Sequence, residues 1–275
     1  MECCVSLPCR LHNRLIVYDI HISPYYLASS YNSGRPTCDG LDPLDCVDGD
    51  CSQSRGPHRD LPSPDLHTGE LVQFFADNFD FDERDTVAIM GAHTLGGLSR
   101  ENSGFNGVNG WLGNTRSFGN GYYTNLVGGT NASSPVEELI QASNWNQVHI
   151  PNSADGFSTP DRHEWERGNN PDHFVMVNSD IALVRDLGGG LLNTVTGEAS
   201  CQFRCRRNCV PMQCPHAAAT IAIVAEYKFD NAAFLEDFED AFKRMLNKGF
   251  DDSGGCLVVD QPCAIPTISR KNLRG

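Results

Sequence analysis

The chain has 275 residues, of which 40% are hydrophobic and 20% are charged, so it can bury a substantial core and is too apolar to be wholly disordered. Its formal net charge of −14 repels phosphate backbones and anionic lipid surfaces, which argues against nucleic acid as a partner. The longest apolar stretches, such as residues 217–225, fall far short of the roughly 20 residues that a membrane-spanning helix needs, so we expect no membrane span.

Cysteine is abundant, with 12 residues gathered in clusters along the chain. An even count in loops rich in glycine and proline favours disulfides and an oxidising compartment, and the glycosylation acceptor pattern at Asn131 agrees with this. The start of the chain does not read as a signal peptide, because polar and charged residues interrupt it. These features predict an extracellular location without a visible export signal. A zinc site in segment 205–216 is the alternative for one cluster, but its cysteine spacing matches no common zinc finger.

The amino-terminal part of the chain lacks the patterns of regular structure. Residues 1–33 show neither helical periodicity nor sustained alternation, apart from a candidate strand at 15–22, and we expect them to form an atypical segment, either truncated or replaced. Turn residues and cysteines dominate residues 34–64, which predicts loop. So much irregular structure is uncommon at the start of a compact domain. Either disulfides cross-link it, or a helical segment that normally precedes it is absent.

Helical patterns begin at residue 67 or 68. A first helix is predicted from there to residues 78–80, with its apolar side chains on one face. Asp82 is the predicted N-cap of a second helix, which reaches about Leu95 and ends before two glycines. Residues 99–172 are rich in glycine, asparagine, serine and proline and predict long loops.

Three further helices complete the pattern. A short helix is predicted at 176–187, an alanine-rich buried helix at 215–227, and a long amphipathic helix that starts at Asp230 or Asn231 and ends before Gly249. The predicted class is therefore mostly α, a helical fold with long disulfide-rich loops.

The second predicted helix carries a single histidine, His93, among apolar and small residues. Gly91 and Ala92 beside it would let a flat group approach the backbone closely, and a neutral imidazole in an apolar pocket is a suitable axial ligand for haem iron. A core histidine bonded to a backbone carbonyl is the alternative, and helical periodicity alone favours it.

The string Gly-Ala-His-Thr-Leu-Gly at residues 91–96 resembles the proximal-haem signature of the plant, fungal and bacterial haem peroxidase superfamily, which includes ascorbate, lignin and plant secretory peroxidases. Further stretches that resemble this family follow the order it requires, at 34–38, 61–64, 80–82, 101–105, 120–126, 177–183 and 235–245. The resemblance is nearest to ascorbate peroxidase-like proteins. It implies a haem-peroxidase-like helical domain over residues 34–250, preceded by the atypical segment 1–33 and followed by a carboxy-terminal tail at 251–275.

The resemblance also implies roles for individual residues. It makes His93 the axial ligand of the haem iron and Asp180 the carboxylate that accepts the Nδ1 hydrogen of His93, which fixes the ring tautomer and gives the imidazole partial anionic character. Asp180 has a second interpretation as a helix cap, a role that Ser179 could fill instead. The residues that would contact the cofactor besides His93 are Gly91, Ala92 and Thr94.

Trp111 falls near the position of a proximal tryptophan in ascorbate and cytochrome c peroxidases. There it would stack against His93 and bond to Asp180, which makes Asp180 and Trp111 the candidate catalytic residues. Ordinary core packing is the alternative for Trp111, because a small local insertion shifts the alignment.

The sequence departs from the family at the distal face of the haem. There the family carries an Arg-x-x-Phe/Trp-His helix, in which the histidine moves a proton between the peroxide oxygens and the arginine stabilises the developing charge. The nearest string, at residues 14–19, has tyrosine where the histidine is expected, and His12 and His21 are out of frame. The amino-terminal distal lobe is therefore expected to be incomplete.

Two smaller departures leave the donor and a cation site open. Asn102 stands where ascorbate peroxidases carry an arginine that helps to bind ascorbate. Gly119 stands where many members carry an acidic ligand of a proximal cation. Thr94 and Asn114 remain as partial ligands of a weak cation site.

The resemblance as a whole implies a haem-b-dependent peroxidase that reduces hydrogen peroxide with one-electron oxidation of a small organic donor, as in a response to oxidative stress. The missing distal pair supports an alternative, a catalytically impaired or non-catalytic remnant stapled by disulfides. Whether the chain is an enzyme depends on that pair.

Overall fold

The computed structural model describes residues 62–98, 100–106, 110–112, 117–151, 161–167, 174–204, 210 and 212–248. The predictions for the atypical segment 1–33, the candidate strand at 15–22 and the tail at 251–275 lie outside these residues. Helices predominate in the described part, which confirms the mostly α class. None of the helices described there is both long and apolar enough to cross a bilayer.

The first two helices form where the sequence predicts them. Helix α1 spans Thr68–Phe79 and buries its apolar face. Helix α2 spans Glu83–Met90 and begins with a reciprocal cap. Asp82 accepts the backbone N–H of Asp85 at 2.8 Å, and Asp85 accepts that of Asp82 at 3.2 Å. This cap fixes where α2 starts and therefore which of its residues face the core.

The end of α2 tightens and does not continue as α-helix to Leu95. Residues Gly91–Thr94 form a 3₁₀ helix, and Leu95 then takes up extended backbone. A Cβ on Gly91 would lie 2.4 Å from the Phe234 ring and 2.5 Å from the Tyr123 hydroxyl. Glycine is required here because these side chains pack directly against its Cα, and the role of Gly91 as a cofactor contact stays a prediction.

The region predicted as loop between residues 99 and 172 contains regular elements, which corrects that prediction. They are α3 (Arg100–Ser103), α4 (Gly121–Leu126), α5 (Val136–Ala142), β1 (Asn146–Ile150) and β2 (Arg162–Arg167). Each is at most 7 residues long, which is too short for a hydrophobic period to stand out in the sequence.

Hydrogen bonds from distant side chains fix the end of the short helix α4. The carbonyls of residues 125–127 accept hydrogen bonds, in that order, from Arg167, Trp145 and Lys228 at 2.9, 3.1 and 3.1 Å. These bonds pair carbonyls that the end of a helix leaves without a partner. Two of the donors also carry the positive charge that a helix C-terminus favours.

Strand β3, Phe174–Met176, completes a three-stranded antiparallel sheet in the order β1-β2-β3. In the register of this sheet, Val148 of β1 lies opposite Glu164 of β2. The chain passes almost directly from β3 into helix α6, Asn178–Ile181. The sheet therefore sets the position of α6, which carries one of the predicted site residues.

The last two helices are α7 (Ile221–Phe229) and α8 (Asn231–Asn247). Helix α7 starts at Ile221 and not at the predicted residue 215. Helix α8 starts as predicted, because the Asp230 carboxylate accepts the backbone N–H groups of Ala232 and Ala233, both at 2.9 Å. Its apolar stripe packs against α2 and closes the core.

One disulfide lies within the described residues and joins Cys201 to Cys214. The zinc interpretation of segment 205–216 is therefore wrong for Cys214, and His216 bonds to Glu137 instead. The remaining cysteines lie outside the described residues, so the other predicted disulfides stay predictions.

Candidate functional site

His93 lies in the 3₁₀ helix that ends α2, with its side chain partly buried. Its Nδ1 lies 2.7 Å from Oδ1 of Asp180, a residue 87 positions further along the chain. Its Nε2 has no hydrogen-bond partner among the described residues. A carboxylate at Nδ1 keeps the proton on that nitrogen and the lone pair on Nε2. The expected contact is present, and the role of His93 as an iron ligand stays a prediction.

Asp180 is completely buried and accepts four hydrogen bonds. The donors are Nδ1 of His93 at 2.7 Å and, each at 2.8 Å, Nε1 of Trp111, the hydroxyl of Tyr122 and the backbone N–H of Val177. A buried carboxylate is costly unless it is paired and hydrogen-bonded, and this set of donors meets that condition. The bond from Val177 also ties Asp180 to the start of α6. Asp180 therefore both caps this helix and pairs with His93.

These contacts decide the charge of Asp180. Burial alone would raise the pKa of its carboxyl group, but the neighbouring His93 and the hydrogen bonds from Val177 and Trp111 hold that pKa below its ordinary value. Asp180 is therefore ionised at neutral pH. An ionised partner at Nδ1 makes the imidazole a stronger donor to a metal at Nε2.

Two aromatic side chains cover the His93 ring. Trp111 is buried and stacks on it, with 4.0 Å between the ring centroids and 18° between the planes. Tyr122 meets the ring edge-on, at 5.9 Å and 82°. The structure thus brings Trp111, His93 and Asp180 together as the resemblance implies. Sequence reasoning misses Tyr122, whose sole signal is that it lies in the family-like stretch 120–126.

The other predicted cofactor contacts differ in their surroundings. Ala92 is exposed beside His93, whereas Gly91 is buried in the core. Thr94 is also buried, and its hydroxyl donates to the carbonyl of Gly119 at 2.8 Å. Of these three residues, Ala92 alone offers an exposed surface next to the imidazole.

The described residues do not provide a set of ligands for the predicted weak cation site. The hydroxyl proton of Thr94 is directed at Gly119, and Asn114 lies outside the described part of the chain. Within that part, no group of three or more His, Cys, Asp or Glu side chains is placed to hold a metal ion.

The contacts around His93 suit the role of an axial haem ligand for this residue. Its Nδ1 is held by an ionised carboxylate, its ring is covered by aromatic side chains, and its Nε2 is left for a metal. Residues 1–61, in which the distal wall of a haem pocket is expected, lie outside the described part. The fit therefore concerns the His93 side of such a pocket.

Comparison with known proteins relates the chain to peroxidases, although no protein-family model matches it. The chain is 37% identical over 197 residues to L-ascorbate peroxidase 1, cytosolic, of Oryza sativa subsp. indica, with 72% of this chain and 50% of that protein covered. It is 27% identical over 191 residues to cytochrome c peroxidase, mitochondrial, of Candida glabrata, with 70% of this chain and 37% of that protein covered. L-ascorbate peroxidase 2, cytosolic, of Oryza sativa subsp. japonica is 38% identical over 73 residues, which cover 26% of this chain and 28% of that protein.

The chain spans half or less of the length of these curated relatives. Their names place them in the cytosol and in mitochondria, so they lend no support to the predicted extracellular location. All three are named as peroxidases, and two of them as ascorbate peroxidases. At modest identity, these relatives confirm that the chain is related to the haem peroxidase superfamily, with an ascorbate peroxidase-like character.

Proposed function

We propose that the chain binds haem b with His93 as the axial ligand and supports the reduction of hydrogen peroxide with one-electron oxidation of a small organic donor. The observation that carries this proposal is the bond between His93 and the buried, ionised Asp180, which leaves Nε2 without a partner among the described residues. Similarity to ascorbate and cytochrome c peroxidases over 72% and 70% of the chain supports the same function.

Bound haem supplies the redox chemistry, and the residues of this chain prepare the imidazole for it. Asp180 holds the proton at Nδ1 of His93, which fixes the tautomer that leaves the lone pair on Nε2. The charge of Asp180 also gives the imidazole partial anionic character, which favours higher oxidation states of a bound iron.

Trp111 and Tyr122 keep this pair aligned. Tyr122 donates to Oδ1 of Asp180 and Trp111 donates to Oδ2, so rotation of the carboxylate would break one bond or the other. Trp111 also covers one face of the His93 ring. We therefore assign both side chains to the positioning of Asp180 and His93, and Trp111 in addition to the candidate catalytic set.

A haem titration of the purified chain tests the proposal. We expect the wild type to give the Soret band of five-coordinate high-spin haem and His93→Ala to lose it, because the proposed ligand atom, Nε2 of His93, is then absent. Added imidazole should restore the band in His93→Ala by filling the vacated position. The control is His149→Ala, which removes an exposed histidine of β1 and should leave the band unchanged. A normal band in His93→Ala without imidazole would remove His93 from this role.

A second candidate is a haem-binding relative with impaired turnover. The observation that favours it is that the sequence contains no Arg-x-x-Phe/Trp-His string. A general acid–base residue contributes about 10²–10⁴ in rate, and a donor to the developing oxyanion roughly 10²–10³. A chain without both would therefore turn over slowly even with haem correctly bound.

Peroxide-dependent oxidation of ascorbate or a phenolic dye by the haem-loaded wild type separates the two candidates. Turnover well above that of free haem supports the peroxidase. Turnover at the level of free haem, together with a Soret band that depends on His93, supports the impaired relative.

A further inference from the structure

Glu164 is a buried acid that the His93 site does not use. It lies in the central strand β2, and its side chain has no exposed surface. Its Oε2 accepts the backbone N–H of Asn106 at 2.7 Å, whereas Oε1 accepts no hydrogen bond from an N–H or hydroxyl group of the described residues. Buried polar atoms are almost always paired, so an unpaired carboxyl oxygen at such a position calls for a physical reason.

The nearest charges on the same strand do not neutralise Glu164. Side chains alternate along a strand, so Arg162 and Glu166 lie on the same face as Glu164. The guanidinium of Arg162 is turned towards Asp65, at 3.2 Å, and lies over the Phe105 ring. The negative charge of Glu166 opposes the ionisation of Glu164. A protonated Glu164 would also donate a hydrogen bond to Glu166, which favours the protonated form.

Within the described part of the chain, one cation on the elements packed against this face acts on Glu164. Arg100 of α3 favours the ionised form of Glu164, more weakly than burial opposes it. The residues of β1 and β3 that share this face are uncharged: Asn146, Val148, Ile150 and Val175. Burial, countered by the Asn106 N–H and reinforced by Glu166, raises the pKa of Glu164 to about 7.

We propose that Glu164 and Glu166 form a carboxylic acid pair that shares one proton at neutral pH and, while it holds that proton, locks segment 103–106 against the sheet. With the proton present, Glu164 is neutral and its burial is tolerated. Without it, a second negative charge lies beside Glu166 inside the fold, and the carboxylate gains stability only by admitting water between β2 and the segment.

The locked segment leads to the His93 site. Phe105 is buried next to Asn106, and Trp111 follows five positions after Asn106 in the sequence. The carbonyl of Gly110 accepts the backbone N–H of Val175 in β3 at 3.4 Å, so the sheet holds the chain on both sides of this connection. The acid pair thus contacts a segment that lies, in the sequence, just before Trp111, the residue that stacks on His93. The titration of this pair does not require bound haem.

Stability measured against pH tests the pair in the full chain. Glu164→Gln keeps the shape and an acceptor for Asn106 but cannot ionise. Because the folded pKa lies above the usual value of 4.5, the contribution of Glu164 to stability is greatest below that value and is lost as the pH rises through about 7. Relative to Glu164→Gln, the unfolding constant of the wild type should rise on the order of 10²-fold between pH 5 and pH 8.

Two further variants make this result specific. Glu166→Gln should reduce the pH-dependent change, because it removes the charge that opposes ionisation, and it serves as the test variant if Glu164→Gln does not fold. Glu236→Gln, at an exposed position of α8, should reproduce the wild-type profile. Parallel profiles for wild type and Glu164→Gln would overturn the proposal.

Hydrogen exchange of the peptide that spans residues 100–112 tests the lock itself. After correction for intrinsic exchange rates, protection in the wild type should fall between pH 6 and pH 8, whereas in Glu164→Gln it should stay constant. If stability depends on pH as expected but this protection does not change, Glu164 titrates without locking the segment and the proposal fails.

Discussion

At the scale of single residues, the Asp180 carboxylate joins four parts of the chain. It accepts from the end of α2 through His93, from Trp111, from α4 through Tyr122 and from the start of its own helix through Val177. Hydrogen bonds to a charged, buried acceptor are stronger than those between neutral groups. All four donors therefore help to keep Asp180 ionised, including those that lie far from it in the sequence.

Replacing Trp111 by Phe tests this dependence. The folded pKa of Asp180 is depressed, so its contribution to stability is present above its unfolded pKa and is lost as the pH falls through the folded pKa. Removal of the indole donor raises the folded pKa, so the loss should begin at a higher pH. We also expect about 1.5–3 kcal/mol less stability at neutral pH from the lost bond to a charged group.

Urea unfolding between pH 3 and pH 7 measures this effect, with Trp145→Phe as the matched control. Trp145 is equally buried, but its indole donates to the carbonyl of Leu126, which does not titrate. Its replacement should lower stability by a similar amount at every pH. If the unfolding free energies of the two variants fell in the same way as the pH was lowered, Trp111 would not control the charge of Asp180.

At the scale of elements, the position of His93 depends on how closely α8 approaches the end of α2. Phe234 of α8 and Tyr123 of α4 occupy the space where a side chain on Gly91 would begin. This contact lies two residues before His93. The helical turn that carries the imidazole is thus fixed by contacts from α4 and α8.

We expect Gly91→Ala to lose about 1–3 kcal/mol of unfolding free energy, because its methyl group would overlap the Phe234 ring and overpack the core. Gly69→Ala is the matched control, since a Cβ there meets only the His67 ring, at 3.4 Å or more. Within α1, that change should be neutral or add up to about 1 kcal/mol. Chemical denaturation of both variants measures the difference, and a neutral Gly91→Ala would mean that α8 packs less closely than described.

At the scale of the whole molecule, the Cys201–Cys214 loop is joined to an earlier part of the fold by one buried cation. Arg185 donates to the carbonyls of Phe203 and Cys214 at 3.1 and 3.2 Å, and to the carboxylate of Glu137 in α5 at 3.1 Å. The disulfide closes a loop with a sequence separation of 13 residues. It therefore holds the carbonyls in place for Arg185.

Removing this cross-link should destabilise the fold. For a loop of this length, the chain-entropy model gives about 3 kcal/mol, so Cys201→Ala/Cys214→Ala should unfold at a clearly lower denaturant concentration than the wild type without reductant. Conversely, reductant should affect the double variant less than the wild type. Equal midpoints without reductant would show that the loop keeps its structure without the bond.

The sequence predicted the elements that carry a strong local pattern. Helix α1 and helix α8 have a continuous apolar face, and α2 and α8 have an acidic cap, all of which can be seen in a short window. The sheet could not be predicted in this way. Strand β2 reads Arg-His-Glu-Trp-Glu-Arg and buries Glu164 on one face and Trp165 on the other, so it shows no alternation of apolar and polar residues and hydropathy does not reveal it.

Only part of the candidate functional site could be predicted, and that prediction did not come from a local sequence pattern. No spacing rule connects His93 with Asp180 across 87 residues, and family resemblance alone suggested the pair. Tyr122 bonds to Asp180 across 58 residues, and apart from its place in the family-like stretch 120–126 nothing distinguishes it from a core aromatic residue. Contacts between side chains this far apart in the chain are set by packing, which a sequence pattern does not record.

All four donors to Asp180 belong to the polypeptide itself. Because they share a single acceptor, a change at any one of them alters the environment of the other three, so their contributions to stability should not be additive.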